Sequence, residues 1–308
     1  MIFAALAYYI FVIPLSLLPL PALYLFTDLF FLLIITILPY RKKVIDQNLK
    51  RSFPDKSQQE LNTIRRKFYR HFTNLLAEGI KNLTISKTSL KRRFKVINPE
   101  LMNELAKKGK NVLLVSGHYN NWEWLITSQA FLFPFEAYGI GMPLTSKFWD
   151  KKINARRSRF GMKVIHAGNY KEALATNTEQ LKSVLVLSDQ SPGDARKSYW
   201  TEFLHQRTAV LFGAELMANE LDYAVVYFTT HLKKRGFYEM ELKLITDDAK
   251  SLSWGEITEQ HVQFLEQEIA AKPEFWLWSH KRWKREIPTD LEQLKQQQRE
   301  KFTAKYRS

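Results

Sequence analysis

Two short, wholly apolar runs, residues 112–115 and 184–187, most constrain what this chain can become. Each stops abruptly at small or turn-forming residues, Ser116-Gly117 in one case and Ser188-Asp189 in the other. Apolar runs this short and so bounded read as buried strands. Helical spacing surrounds them, over residues 57–83, 99–108, 122–131, 145–160, 170–181 and 257–271. Further strands are expected at 163–165, 223–229 and 237–245, the last two paired across Lys233-Lys234-Arg235-Gly236. Strands alternating with helices predict an α/β fold, a mixed central sheet covered by helices. The chain of 308 residues suffices for one such domain with a sizeable core and an appendage.

The first strand leads directly into chemistry. His118 follows Gly117, and Glu123 comes five positions later, across Asn120-Asn121 and Trp122. Five residues along a regular helix rotate a side chain by roughly 140°, so two mid-helix groups at this spacing do not meet. If His118 lies in the turn and Glu123 in the first turn of a helix capped by the Asn pair, they can. The expectation is a His118–Glu123 dyad in which the carboxylate orients the imidazole and steadies its cation, freeing the other ring nitrogen to take a proton.

Composition narrows the partners. The chain has no cysteine, which excludes disulfides, a Cys-ligated zinc and a thiol nucleophile. Its 46 Lys plus Arg against 31 Asp plus Glu leave a net charge of +15, which calls for an acidic partner. The first forty residues carry one charged side chain, Asp28, then meet Arg41-Lys42-Lys43. Residues 2–18 and 22–38 are apolar stretches, each about 26 Å long as a helix, slightly short of a hydrocarbon core of roughly 30 Å. Residues 1–40 are therefore expected to be a membrane anchor, either one span or two half-helices dipping into a leaflet. The positive-inside rule would put the chain beyond Tyr40 on the cytoplasmic side. Residues 41–290 form the expected catalytic domain and 291–308 a charged tail. The 57–83 helix is basic and amphipathic, suited equally to an anionic membrane surface and to a solvated face.

Strand, Gly-His, Asn-Asn and Trp-Glu together form an HxxxxE pattern that resembles the glycerolipid and lysophospholipid acyltransferase superfamily. The local context is closest to its lipid A late acyltransferase branch, the lauroyl/myristoyl type. Other segments resemble the same family: Asn48-Leu49 with Phe53-Pro54; the arginines before Gly161; Asp189-Gln190 leaving a strand; residues 200–218, with Thr208 and Gly213 matching but His205 where many members have glycine; and the closing block with Pro273, Glu274, Trp278, His280, Arg282 and Lys284.

The resemblance implies transfer of a fatty acyl chain from an acyl thioester, on acyl carrier protein or coenzyme A, to a hydroxyl of an anionic lipid A precursor at the inner membrane. His118 and Glu123 would be catalytic. Arg157 and Arg159 would bind substrate charge, and Asp189 and Gln190 the acceptor. No metal, redox cofactor or nucleic acid is implied. Two readings stay beside it: the same chemistry on a lysophospholipid or aminolipid, and a non-catalytic basic module binding membranes or polyanions.

Overall fold

The computed structural model describes residues 2–175 and 179–307. Among the described residues nine strands occur: β1 (Phe94–Val96), β2 (Val112–Ser116), β3 (Glu136–Gly141), β4 (Lys163–His166), β5 (Lys182–Leu187), β6 (Tyr199–Phe203), β7 (Gln206–Val210), β8 (Ala224–Lys234) and β9 (Phe237–Thr246). Seven make the central sheet, in the order β1-β9-β8-β2-β5-β3-β4. It is parallel throughout except between β8 and β9, the hairpin expected across residues 233–236. The mixed, helix-covered sheet is thus as the sequence predicts.

Alternate side chains of the buried strands serve separate cores. Leu113 and Val115 of β2 join Val184 and Val186 of β5 on one face; Val112 and Leu114 join Leu185 and Val226 on the other. Such two-sided burial makes central parallel strands read as continuous apolar runs. Helices Gln58–Lys81, Trp122–Leu132, Lys147–Arg157 and Glu256–Ala271 appear where periodicity places them. The expected 170–181 helix is seen as Tyr170–Ala175; residues 176–178 lie outside the described residues. The tail forms the helix Leu291–Tyr306, docked through buried Leu291 and Phe302.

The spanning form of the anchor needs correction. Among the described residues no helix is long and apolar enough to cross a membrane. The longer apolar helix, Leu20–Thr36, has 17 residues, and the preceding helical segment ends at Leu17, before Pro19. Both lie along the catalytic body. Leu20, Leu23, Phe31 and Ile34 are buried, and Asp28 pairs with Arg70 at 2.9 Å and with Arg235. The opposite face leaves Phe11, Leu17, Leu25, Phe26, Leu29 and Leu32 exposed. The 57–83 helix likewise buries Leu61, Ile64 and Phe68 against the core, with Arg65 ion-paired to Asp46.

Candidate active site

β2 and β5 are adjacent and parallel, with Ser116 opposite Leu187, so the residues following them emerge side by side at the carboxyl edge of the sheet. In open α/β sheets this edge is where ligands bind. Gly117 sits so close to Leu265 and Asp189 that a Cβ would fall 2.8 Å from one and 3.1 Å from the Cβ of the other. That close approach demands glycine and lets His118 and Asp189 meet.

His118 Nδ1 lies 2.6 Å from Asp189 Oδ1, and the indole N–H of Trp276 donates to Asp189 Oδ2 at 2.8 Å. Burial opposes ionisation of Asp189, but the neighbouring imidazole and the bonds from His118 and Trp276 outweigh it and hold the carboxyl well below its usual range. An ionised carboxylate only accepts, so Nδ1 carries a proton, and in the neutral imidazole Nε2 presents the lone pair. The Gln190 side-chain nitrogen lies 3.3 Å from that Nε2. The donor–acceptor match requires the amide NH2, not its oxygen, to face the ring.

Glu123 does not orient His118. Asn120 takes a left-handed conformation (φ 51°), its side-chain amide donating to the Thr230 carbonyl and its backbone N–H to Phe275. Asn121 then caps the helix by accepting from the Trp124 N–H at 3.0 Å. This winding sets Trp122 edge-on to His118, ring centroids 5.0 Å apart, while the Glu123 carboxylate meets the end of the Lys147–Arg157 helix. There Arg156 and Arg157 each approach its carboxylate to 2.5 Å. Burial opposes this charge too, but the two guanidinium groups prevail and lower the Glu123 carboxyl to about 2.

The two arginines expected to bind substrate charge part company. Arg157 lines the cavity beside His118. Arg159 instead donates to the carbonyls of Asn82 at 2.7 Å and Ile85 at 3.0 Å, beyond the end of the Gln58–Lys81 helix, so its hydrogen bonds go to structure.

The cavity at His118 measures about 480 Å³ and is lined by Trp122, Ile126, Leu185, Leu187, Met217 and other apolar groups, with Arg157, Ser188 and Gln190 as polar points. Trp122 also borders a second, apolar space of about 350 Å³ between the N-terminal segment (Tyr8, Val12) and Leu75, Leu76 and Leu83, with Arg156 and Glu123 at its polar end. A histidine with a buried carboxylate partner, a free lone pair, a neighbouring cation and apolar walls suits proton transfer on a substrate with a hydrocarbon part.

The closing block buttresses this edge. Asn48 donates to the carbonyls of Trp278 (2.9 Å) and His280 (2.8 Å), and Phe53 packs on Trp278, so segments 230 residues apart in sequence meet. His280 Nε2 accepts from the Ser191 N–H at 3.1 Å, fixing the turn after Gln190; burial lowers its pKa to about 4. Arg282 is buried and donates to Thr208 at 2.9 Å. His205 stands exposed at the β6–β7 turn with φ 62°, beside Leu204 at 51°, a turn that favours glycine. Its divergence from the family pattern is a turn substitution. Sequence reasoning missed Trp276 and Arg156; the adjacent Arg-Arg was a signal for Arg156, but nothing marked Trp276 among the aromatics of its block.

Residues 1–285 match the family described as bacterial lipid A biosynthesis acyltransferase. The chain is also 25% identical over 245 residues to a lipid A biosynthesis acyltransferase of Haemophilus influenzae, covering 75% of this chain and 72% of that one. With the match running from the N-terminal helices through the whole central sheet, the chain belongs to the bacterial lipid A biosynthesis acyltransferases and is an acyltransferase acting in lipid A synthesis.

Proposed function

We propose that the protein moves a fatty acyl chain from an acyl thioester to a hydroxyl of a lipid A precursor, with His118 as general base and Asp189, in place of Glu123, as the group that orients it. The observation carrying this reading is the 2.6 Å contact of His118 Nδ1 with an ionised, buried Asp189. The acceptor hydroxyl displaces the Gln190 amide and gives its proton to Nε2 as its oxygen attacks the thioester carbonyl. Collapse of the tetrahedral intermediate breaks the C–S bond, and the imidazolium returns a proton to the departing thiolate. No acyl-enzyme is needed, since a thioester is already activated.

Glu123 holds Arg156 and Arg157 together. One carboxylate between two guanidinium groups leaves a surplus positive charge beside the His118 cavity, suited to a lipid phosphate or the carbonyl oxyanion. The exposed apolar face of the N-terminal helices supports insertion into one leaflet rather than a span; an acyl carrier protein or coenzyme A donor and action from the cytoplasmic face of the inner membrane are part of the same proposal.

Purified protein incubated with acyl carrier protein or coenzyme A thioesters and with a lipid A precursor, a lysophospholipid or an aminolipid tests this directly by mass spectrometry. One added acyl chain on the lipid A precursor, absent with His118→Ala, is the expected result. Transfer only to another lipid, or undiminished transfer by His118→Ala, overturns it.

A further inference from the structure

Glu78 lies fully buried in the Gln58–Lys81 helix, behind the His118 loop, and the acyl-transfer chemistry makes no use of it. Three elements converge on its carboxylate. Tyr24 of the N-terminal helix donates to Oε1 at 2.7 Å; Tyr238 of β9 donates to Oε2 at 2.7 Å; Asn121 of the active-site loop donates to Oε2 at 2.5 Å. The Glu78 carbonyl also accepts from the Trp124 indole at 3.3 Å.

We propose that Glu78 is a positioning residue through which the N-terminal helix holds the His118–Asn121 loop in its reactive geometry, so that this helix serves catalysis as well as the membrane. This role rests on the reading of His118 as the base.

The Asn121 side chain is fully committed, its oxygen capping the motif helix at Trp124 and its nitrogen held by Glu78. The cap fixes where the helix starts, and therefore where Trp122 meets His118 and where Glu123 meets the arginines. Three hydrogen bonds hold the Glu78 carboxyl in place; burial pushes it above its ordinary value although those donors act to lower it. Tyr24 is itself gripped: Arg235 stacks 3.9 Å from its ring centroid while pairing with Asp28 of the same helix. Gln in place of Glu78 keeps the geometry, since its oxygen can face Asn121 and Tyr238 while its NH2 donates to the Tyr24 hydroxyl.

The test uses full-length protein in detergent micelles, where anchoring to a bilayer plays no part. The readouts are kcat, KM and melting temperature for Glu78→Ala, Glu78→Gln, Tyr24→Phe, Lys81→Met and His118→Ala, assayed well below every melting temperature. Small displacements of a reacting group cost up to about 100-fold. Glu78→Ala should lower kcat about 100-fold with KM little changed, Glu78→Gln should restore most of it, and Tyr24→Phe should fall between. Lys81→Met cuts a different tie to the N-terminal segment, the bonds from Lys81 to the carbonyls of Ser16 and Leu18. It should lower the melting temperature alone. Wild-type kcat in Tyr24→Phe overturns the proposal even if Glu78→Ala does not fold, as does an equal kcat loss in Lys81→Met. An active His118→Ala would instead overturn the underlying reading.

Discussion

Replacing Asp189 by Asn isolates the charge and the tautomer while keeping shape. The indole N–H of Trp276, 2.8 Å from Oδ2, can only donate, so the Asn carbonyl must turn toward it. The amide NH2 then faces His118 Nδ1, which must become the acceptor. The ring proton moves to Nε2, and the lone pair that would take the hydroxyl proton is gone. Loss of the carboxylate also removes the charge that steadies the imidazolium. General-base catalysis is worth about 10²–10⁴-fold, so kcat should fall by that factor, about 3–5 kcal/mol of transition-state stabilisation. The assay is steady-state acyl transfer to a lipid A precursor at saturating donor, alongside a thermal melt. A folded Asp189→Asn protein turning over within about threefold of wild type would refute the reasoning, since it leaves no room for either effect.

Arg159→Lys should lower the melting temperature, because one ammonium nitrogen cannot stand where two separate guanidinium nitrogens reach the Asn82 and Ile85 carbonyls, while kcat stays near wild type; Arg157→Lys should lower kcat. Glu123 ionises more readily folded than unfolded. Its contribution to stability is therefore present above its ordinary value of 4.5 and is lost as pH falls toward about 2. Denaturant titrations of Glu123→Gln should accordingly show a shallower acid decline across that window. His205→Gly should raise the denaturation midpoint without altering turnover, because glycine suits φ 62° at an exposed turn.

The strands that position the site were legible where burial on both faces left unbroken apolar runs, as in β2 and β5. Others escaped notice for physical reasons. β1 has only three residues, and β3 (Glu-Ala-Tyr-Gly-Ile-Gly) is interrupted by two glycines that carry no apolar signal. The helix Lys42–Ser52, rich in charge, hides Ile45 and Leu49 at helical spacing. At the site, His118, Glu123, Arg157, Asp189 and Gln190 were all marked by their motifs, and all gather at the carboxyl edge. Their pairing was not readable. His118 and Asp189 are 71 residues apart, and only the parallel register of β2 with β5 brings them together. Sequence proximity favoured Glu123, and the left-handed turn at Asn120 sends it elsewhere. The apolar N-terminus announced its hydrophobicity but not which half of each helix the protein itself would cover.

The central claim is that His118 and Asp189 act as one unit. A double-mutant cycle on kcat over His118→Ala, Asp189→Asn and the combined variant measures this most directly. If the two act together, Asp189→Asn, costly in the wild-type background, costs almost nothing once His118 is alanine. If it still exacts its full factor there, Asp189 acts on something other than the imidazole, and the proposed mechanism is wrong.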